Sequence, residues 1–523
     1  IVPAANVTVD ANDSLQTRRT NWSKSLNFLL LSPVVASGSV SFNLVSLSSP
    51  GGPSISCDSC ANTTQVTFYN EPPLIVRAIG LSYTFGSPPT SAAPSATDFA
   101  LLRSWLGRAY PVSSVNFSQT TVASANPWPF TCDKANAQLA AIRASDISTG
   151  TDARTHYYGL VSNSGGYMRG CSSGAPATPD PSTTASGPAG PTSGTAIEPI
   201  NVAGDTDGSF ADWYGGHELG HTFGRNHPGF CNGNSHDDPN FPYPNGQIGQ
   251  GNDTGYAGLD VGDSSNGISR TVLWPSSSFD IMTYCNQPQW LSAYTYEAVR
   301  QRLLAENPGF LTLQLRVGAQ AQPGAGPMVH VAATLNLARG TGAIEFVTPV
   351  ERGAPQVNTT NRAALVVRDA SGRQLSRTPV ALRESTDIPP GEDQTALVDA
   401  TVPFAPDMAQ VDLVLDGRVL AQYRSSTAVP APPRNLRLGA ATQAAPTTAR
   451  PGPVLTWQGP PGAAGVTYTV QTSDDGKSWS TIAVGLREPT LALSPEQARA
   501  RLARVIASNG FRSAAPVSTV LRR

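Results

Sequence analysis

Lysine is nearly absent from this chain: among 35 lysines and arginines, only Lys24, Lys134 and Lys477 are lysine. Charge is scarce in general, at 14% of residues with a formal net charge of -2. No basic footprint for nucleic acid or an anionic membrane is present. Long hydrophobic runs are missing too. Phe28-Leu-Leu-Leu31 is far too short to span a bilayer, so no membrane span is expected. No signal peptide stands at Ile1, and the chain reads as a mature or trimmed secreted product. Arginine in place of lysine, with abundant alanine, reads as a GC-rich coding bias and points to a bacterial source. In such a product the matches to the N-glycosylation pattern at Asn6, Asn21, Asn62 and Asn116 carry no meaning. Oligomeric state leaves no sequence signal.

What is present begins with size. The 523 residues exceed one ordinary core, and two to four domains are expected. Gly 48 and Pro 45 favour many short strands and loops over long helices. Cys57, Cys60, Cys132, Cys171, Cys231 and Cys285 are even in number and scattered. Cys57-Asp-Ser-Cys60 has no second C-x-x-C, which argues against a four-cysteine zinc site. Disulfides in an oxidising compartment are the better reading. Among the many pairings that six cysteines allow, Cys57–Cys60, Cys132–Cys171 and Cys231–Cys285 are expected.

The chain holds six histidines, and three of them fall within eleven residues, at His217, His221 and His227. Positions i and i+4 share one helix face, so His217 and His221 aim two imidazoles at one point. Glu218 follows the first and can reach a water bound there. Gly224 adopts a backbone that ends the helix, and the chain turns back to bring His227 to the same point. Three neutral imidazoles with an open fourth position make a catalytic site for one Zn2+ ion. A lone histidine is more often a satisfied core or surface residue than a ligand, and His156, His236 and His330 are read so.

In chain order, residues 1–71 read as a β segment or small β domain, with strands at Ser25–Leu31 and Gly38–Val45. Leu74–Phe85 reads as a strong strand. A helix follows with Phe99, Leu102 and Leu106 inward and Ser95 or Thr97 as N-cap. A second helix spans Lys134–Arg143 and a strand Tyr157–Val161, so an α/β domain is expected over 72–311. Residues 172–198, rich in Ser, Gly, Pro, Ala and Thr, read as a mobile surface insertion, with a lid on the cleft as the alternative. The loop after His227 carries Asp237, Asp238, Asp253, Asp260 and Asp263. Calcium is conceivable there, but no EF-hand or nonapeptide repeat supports it, and solvated loops are the simpler reading. Ser292–Glu306 reads as a helix with Tyr296, Val299 and Leu303 on one face. Alternating strands from Leu311–Val317 onward, among them Val329–Leu335, Ala364–Val367 and Val411–Leu415, give a β-sandwich over 312–428. The stiff Val429–Pro433 leads to a second sandwich, 429–523, with strands at Val454–Trp457, Val466–Val470, Ser478–Ser480 and Ala503–Ala507. This last unit resembles a fibronectin type III module, with Trp457 and Tyr468 as expected core residues. The fold class is therefore multidomain α/β plus all-β.

His217-Glu-Leu-Gly-His-Thr-Phe-Gly-Arg-Asn-His227, followed by Asp280-Ile-Met-Thr-Tyr284, resembles the metzincin zinc metallopeptidases over about residues 72 to 311. Pro228 and Tyr284 resemble the serralysins, and astacins share the tyrosine; the calcium repeats of serralysins are absent. The resemblance implies a twisted mixed sheet with an active-site helix, and zinc held by the three histidines. It makes Glu218 the general base and Met282 the methionine beneath the metal. Zinc would lower the pKa of its water and Glu218 would take the proton. Tyr284 would bind zinc at rest or donate to the oxyanion, and a structural tyrosine is the alternative. A Cys231–Cys285 bridge would stiffen the floor of the site. An extended substrate would pair with an edge strand after Val161, near Tyr167-Met-Arg169, and Trp290 and Leu291 would line a specificity pocket unless they are plain core.

The function expected is a secreted zinc endopeptidase acting on protein or peptide substrates. The alternatives are a glycoprotein- or mucin-directed protease, an adhesin-like binding protein with a vestigial peptidase domain, and a zinc hydrolase of non-peptide substrates. The sandwiches read as spacers.

Overall fold

The computed structural model describes the chain apart from residues 1–6, 9, 29, 31–36, 44–45, 49–50, 53, 57–63, 168, 193–204, 206, 232–237, 251–256, 311–325, 352–361, 389–390, 440–451, 460–464 and 522–523. Cys57, Cys60, His236, Asp237, Asp253 and the expected strand at Leu311–Val317 lie outside the described residues. The architecture is multi-sheet and mostly β, with few helices.

The N-terminal part holds a short helix, Leu15–Thr20, and two-stranded ribbons, Gly38–Phe42 with Thr64–Phe68 and Ser46–Ser48 with Ser54–Ser56. No strand forms over the described part of Ser25–Leu31. The Asn27 side-chain amide donates to the carbonyls of Ser25 (2.8 Å) and Trp22 (3.5 Å). Such local side-chain bonds compete with a ladder.

The strand at Leu74–Phe85 (β1) is buried almost throughout, as a strand covered on both faces must be. Helix α1 (Ala96–Ala109) starts at Ser95, whose hydroxyl accepts from the Asp98 N–H while Asp98 accepts from the Ser95 N–H. Val115–Ala123 (β2) follows, so a strand separates the two helices; its Val-Asn-Phe-Ser-Gln-Thr-Thr-Val polarity hides the pattern. Helix α2 (Cys132–Ser148) then leads to β3 (His156–Ser162), the edge strand β4 (Cys171–Ser172) and β5 (Ala185–Ala189). The sheet runs β2-β1-β3-β5-β4, parallel except for β4 and for a short strand, Thr90–Ala92, that pairs antiparallel with the end of β1.

β5 corrects the surface-insertion reading over the described part of 172–198. Ala-Ser-Gly-Pro-Ala is fully buried in the middle of the sheet. Small residues are required there because aromatic rings press on the strand: a Cβ on Gly187 would lie 2.9 Å from the Tyr214 ring. The edge strand is likewise β4; of the expected Tyr167–Arg169, Met168 lies outside the described residues. The Tyr167 ring is withdrawn into the core, 5.6 Å from Phe130 and 6.4 Å from Trp128.

Helix α3 (Ala211–Thr222) lies under this sheet and against α1. A Cβ on Gly215 would meet Leu102 at 2.5 Å, and one on Gly216 would overlap the Trp105 ring. Two glycines thus let the helices approach closely. Helix α4 (Ala293–Glu306) is capped by Ser292 and buries Val299 and Leu303, while Tyr296 stays 43% exposed.

Two all-β units follow. In the first, β6 (Met328–Asn336), β7 (Thr341–Val350), β8 (Ala363–Asp369), β9 (Gln374–Val380), β10 (Arg383–Glu384), β11 (Thr395–Pro403), β12 (Met408–Leu415) and β13 (Arg418–Arg424) form sheets β7-β6-β11-β10 and β9-β8-β12-β13. In the second, β14 (Arg434–Gly439), β15 (Val454–Gln458), β16 (Thr467–Ser473), β17 (Ser480–Leu486), β18 (Thr490–Ala492), β19 (Leu502–Ser508) and β20 (Val517–Val520) form sheets β14-β15-β18 and β17-β16-β19-β20. Trp457 and Tyr468 are buried there edge to face at 5.2 Å. Ser478 and Trp479 precede the strand rather than open it, because the Asp475 carboxylate binds the N–H groups of Lys477 and Ser478 in a turn.

Both units dock on the α/β part through α2. Ala332, Phe346 and Leu397 of the first share a core with Ala137, Leu139 and Ala140. From the second, the Thr481 N–H donates to Asp146 Oδ1 (2.7 Å) and Arg77 Nη2 donates to the Thr481 carbonyl (2.8 Å). No helix among the described residues is long and apolar enough to cross a membrane.

Candidate metal centre

Helix α3 presents His217 and His221 on one face, with ring centroids 4.9 Å apart. The helix stops at Gly224, at φ +77°, whose N–H donates to the His221 carbonyl while the Arg225 N–H reaches back to the Gly220 carbonyl. That turn reverses the chain and carries His227 back. Its Nε2 lies 3.3 Å from Nε2 of His217, and its ring centroid 4.6 Å from that of His221.

The outer nitrogens fix the tautomers of two rings. His217 Nδ1 donates to the Ile281 carbonyl (2.7 Å) and His221 Nδ1 to the Arg225 carbonyl (2.6 Å). With Nδ1 protonated, the neutral form of each ring turns its Nε2 lone pair inward. Lone pairs this close repel one another unless a cation or proton lies between them. Burial pushes the His221 imidazole down to about 4, so near neutral pH the ring is uncharged, as a metal ligand must be.

The floor is the turn at Asp280–Thr283. Asp280 is fully buried, and its carboxylate takes the N–H groups of Met282 and Ser292, both at 2.9 Å. Met282 is thereby set beneath α3, where a Cβ on Gly220 would meet its sulfur at 2.6 Å. The Cys231–Cys285 disulfide joins the segment after His227 to this turn, and Cys132–Cys171 ties α2 to β4. Tyr284 extends from the turn until its hydroxyl lies 3.2 Å from His227 Nε2.

Glu218 is 0% exposed, and neither carboxylate oxygen has a hydrogen-bond partner. It points under the sheet edge: a Cβ on Gly170 would lie 2.6 Å from its Oε1, so only glycine fits beside β4. Burial first, then the negative charge of Asp387, push its carboxyl well above the usual range. A cation among the imidazoles works against both causes.

Sequence reasoning missed one member of the cluster. Asp387 comes from the loop after β10. Its Oδ1 is 3.2 Å from His217 Nε2 and 3.0 Å from His227 Nε2; its Oδ2 is 3.0 Å from His221 Nε2 without hydrogen-bond alignment. Tyr284 donates to the same Oδ1 at 2.5 Å. Burial opposes the Asp387 charge, but His227, His221 and His217 together hold its carboxyl well below the usual range. His217, His221, His227 and Asp387 offer four donor atoms within 4.8 Å of one another. Three imidazoles and a carboxylate are a fitting donor set for zinc. No motif marks Ser385-Thr-Asp-Ile-Pro-Pro390 in the sequence.

The remaining candidates fall elsewhere. His156 is buried between Glu306 (3.0 Å) and Thr222 (3.4 Å), a satisfied core residue, while His330 bonds Asp399 (2.7 Å) through Nε2 and leaves its Nδ1 buried without a partner. Asp238, Asp260 and Asp263 are not drawn together: Asp238 pairs with Arg225, Asp260 with Arg108, and Asp263 with Ser104. Trp290 and Leu291 are buried in the α/β core, and both line a cavity of about 560 Å³ with Arg108, Tyr243 and Tyr296.

No protein-family model and no curated relative matches the chain. Among solved structures, a two-domain fibronectin type III segment of chicken tenascin is 13% identical, over 34% of this chain and 90% of that one, at TM-score 0.16. The Endo-D glycoside hydrolase domain from Streptococcus pneumoniae is 13% identical, over 37% of this chain and 28% of that one, at TM-score 0.16. A beta-1,2-glucanase from Parabacteroides distasonis gives 13%, 37%, 28% and 0.14 for the same quantities. Likenesses at this level carry no inference about fold or function.

Proposed function

We propose that this chain is a secreted zinc-dependent endopeptidase of the metzincin type. The observation that carries this reading is the convergence of three inward-facing imidazoles beside a buried glutamate with no partner of its own. A group buried at such cost without a partner is unexplained by packing. Zinc held by His217, His221 and His227 would polarise a substrate carbonyl and acidify the attacking water.

The chain's own residues supply the rest. Glu218 takes a proton from the water as it adds to the carbonyl carbon. It then delivers that proton to the amide nitrogen as the C–N bond breaks. Tyr284 donates to the carbonyl oxygen as it gains charge. The edge of β4 pairs with an extended substrate, which places the scissile bond over Glu218. Met282 and the Cys231–Cys285 bridge keep the ligands in place from below. The disulfides fit an oxidising, extracellular setting.

One observation favours a second reading. A site with four protein ligands is closed and structural. With Asp387 as the fourth, the chain would be an adhesin-like binding protein with a vestigial peptidase unit. The test is digestion of a peptide library with metal analysis, comparing the wild-type chain, Asp387→Gly, and each with Glu218→Gln. Cleavage that requires both zinc and Glu218 is expected. Zinc bound without cleavage in every variant would sink the endopeptidase reading.

A further inference from the structure

We infer that the first β-sandwich holds the metal centre latent: Asp387 occupies the open ligand position, and Ser385–Asp387 lies where a substrate strand would lie. The inference rests on the endopeptidase reading and names how that site is regulated.

Two independent features place the segment. The first is the carboxylate within 3.2 Å of all three Nε2 atoms and in a hydrogen bond with Tyr284. It thus uses both the metal-facing nitrogens and the hydroxyl meant for substrate. The second is backbone pairing. The Thr386 N–H donates to the Ser172 carbonyl (3.1 Å), and the Ser172 N–H donates to Thr386 Oγ1 (2.9 Å). The sheet order ends at β4, so these two bonds, one between backbones and one to the Thr386 hydroxyl, occupy its open edge where a substrate strand would pair.

The loop is seated by contacts of its own. Arg383 Nη2 reaches Asp180 (3.0 Å) and Ser182 (2.6 Å), and the Ser385 N–H donates to the Thr395 carbonyl (3.0 Å). Arg169 pairs with Glu392 on the other side (2.7 Å). Asp387 itself sits at φ +57°, a left-handed backbone that aspartate tolerates and most residues do not. That backbone directs the carboxylate into the cluster. A permanent structural ligand would make Glu218, buried without a hydrogen-bond partner next to it, a cost with no return.

The test uses the full chain loaded with Co2+, a visible stand-in for zinc, and acetohydroxamate as a small metal-binding probe. Wild type, Asp387→Gly, which tolerates the positive φ, and Asp387→Asn, which keeps the shape but loses the charge, are compared by their d–d absorption and metal content. Asp387→Gly is expected to keep one metal ion and to bind the probe about tenfold or more tighter than wild type. Asp387→Asn is expected to fall between them. Equal probe affinity in all three chains overturns the proposal. Loss of the metal with a large fall in Tm in Asp387→Gly also overturns it, because Asp387 is then a structural ligand. If Asp387→Gly binds the probe tightly but cleaves no peptide, the latch stands and the endopeptidase reading fails.

Discussion

His217–His227 and Ser385–Asp387 supply donors to one centre by opposite means. In the first segment, helical period and a glycine turn bring three imidazoles together within eleven residues, all readable from local spacing. In the second, a loop of a distant sandwich reaches the same point because two cores dock around α2. Chemistry that must be exact in geometry is built on one rigid helix. The contact proposed as a latch is carried by a loop within a separate unit, after β10.

The largest expected effect tests the helix-borne half. Glu218→Gln should lower peptide cleavage on the order of 10³-fold with zinc content unchanged, measured in the Asp387→Gly background. A loss of zinc instead would move Glu218 from proton transfer to metal binding. Removing the floor comes next. Cys231→Ser with Cys285→Ser opens a 54-residue span and should cost about 4 kcal/mol of stability in denaturant unfolding. If stability holds and only the metal site loosens, the bridge acts on the site alone. Tyr284→Phe should reduce kcat by about tenfold to a hundredfold with KM and zinc little changed. An unchanged kcat would reduce Tyr284 to a partner of Asp387.

The smallest effect tests the sandwich half. Asp399 is buried between His330 and Arg383, and its carboxyl lies at about 2: burial raises it, but the His330 hydrogen bond and the Arg383 charge win. A carboxyl depressed in the folded state stabilises above its unfolded value near 4, and that contribution disappears as pH falls through 2. It should amount to about 2 kcal/mol. Asp399→Asn should therefore lower Tm at pH 6 and cease to matter at pH 2. Because Arg383 also holds Asp180, the same variant should strengthen probe binding at the centre, if the two halves communicate through that arginine.

Legibility in the sequence followed the range of the interaction. β1, α1 with its Ser95 cap, α4 and the strands around Val329–Leu335 and Ala364–Val367 were readable because periodicity and caps are local. The histidine spacing was readable for the same reason; the turn at Met282 was named only by the resemblance, and the two described disulfides, spanning 39 and 54 residues, match an expected pairing that no local pattern dictated. β2 and β5 were not. β2 alternates polar residues on a face that other elements cover. β5 looks like linker because small residues are what two close aromatic rings leave room for.

The sequence alone determined that three histidines and a glutamate share one helix and turn, since four-residue spacing and one glycine leave the backbone little choice. Only the tertiary structure decided what fills the position opposite them. Asp387 is set there by the docking of a sandwich on α2 and by the hydrogen bonds of Thr386 to Ser172 of β4, and no local pattern records a contact between segments so far apart in the chain.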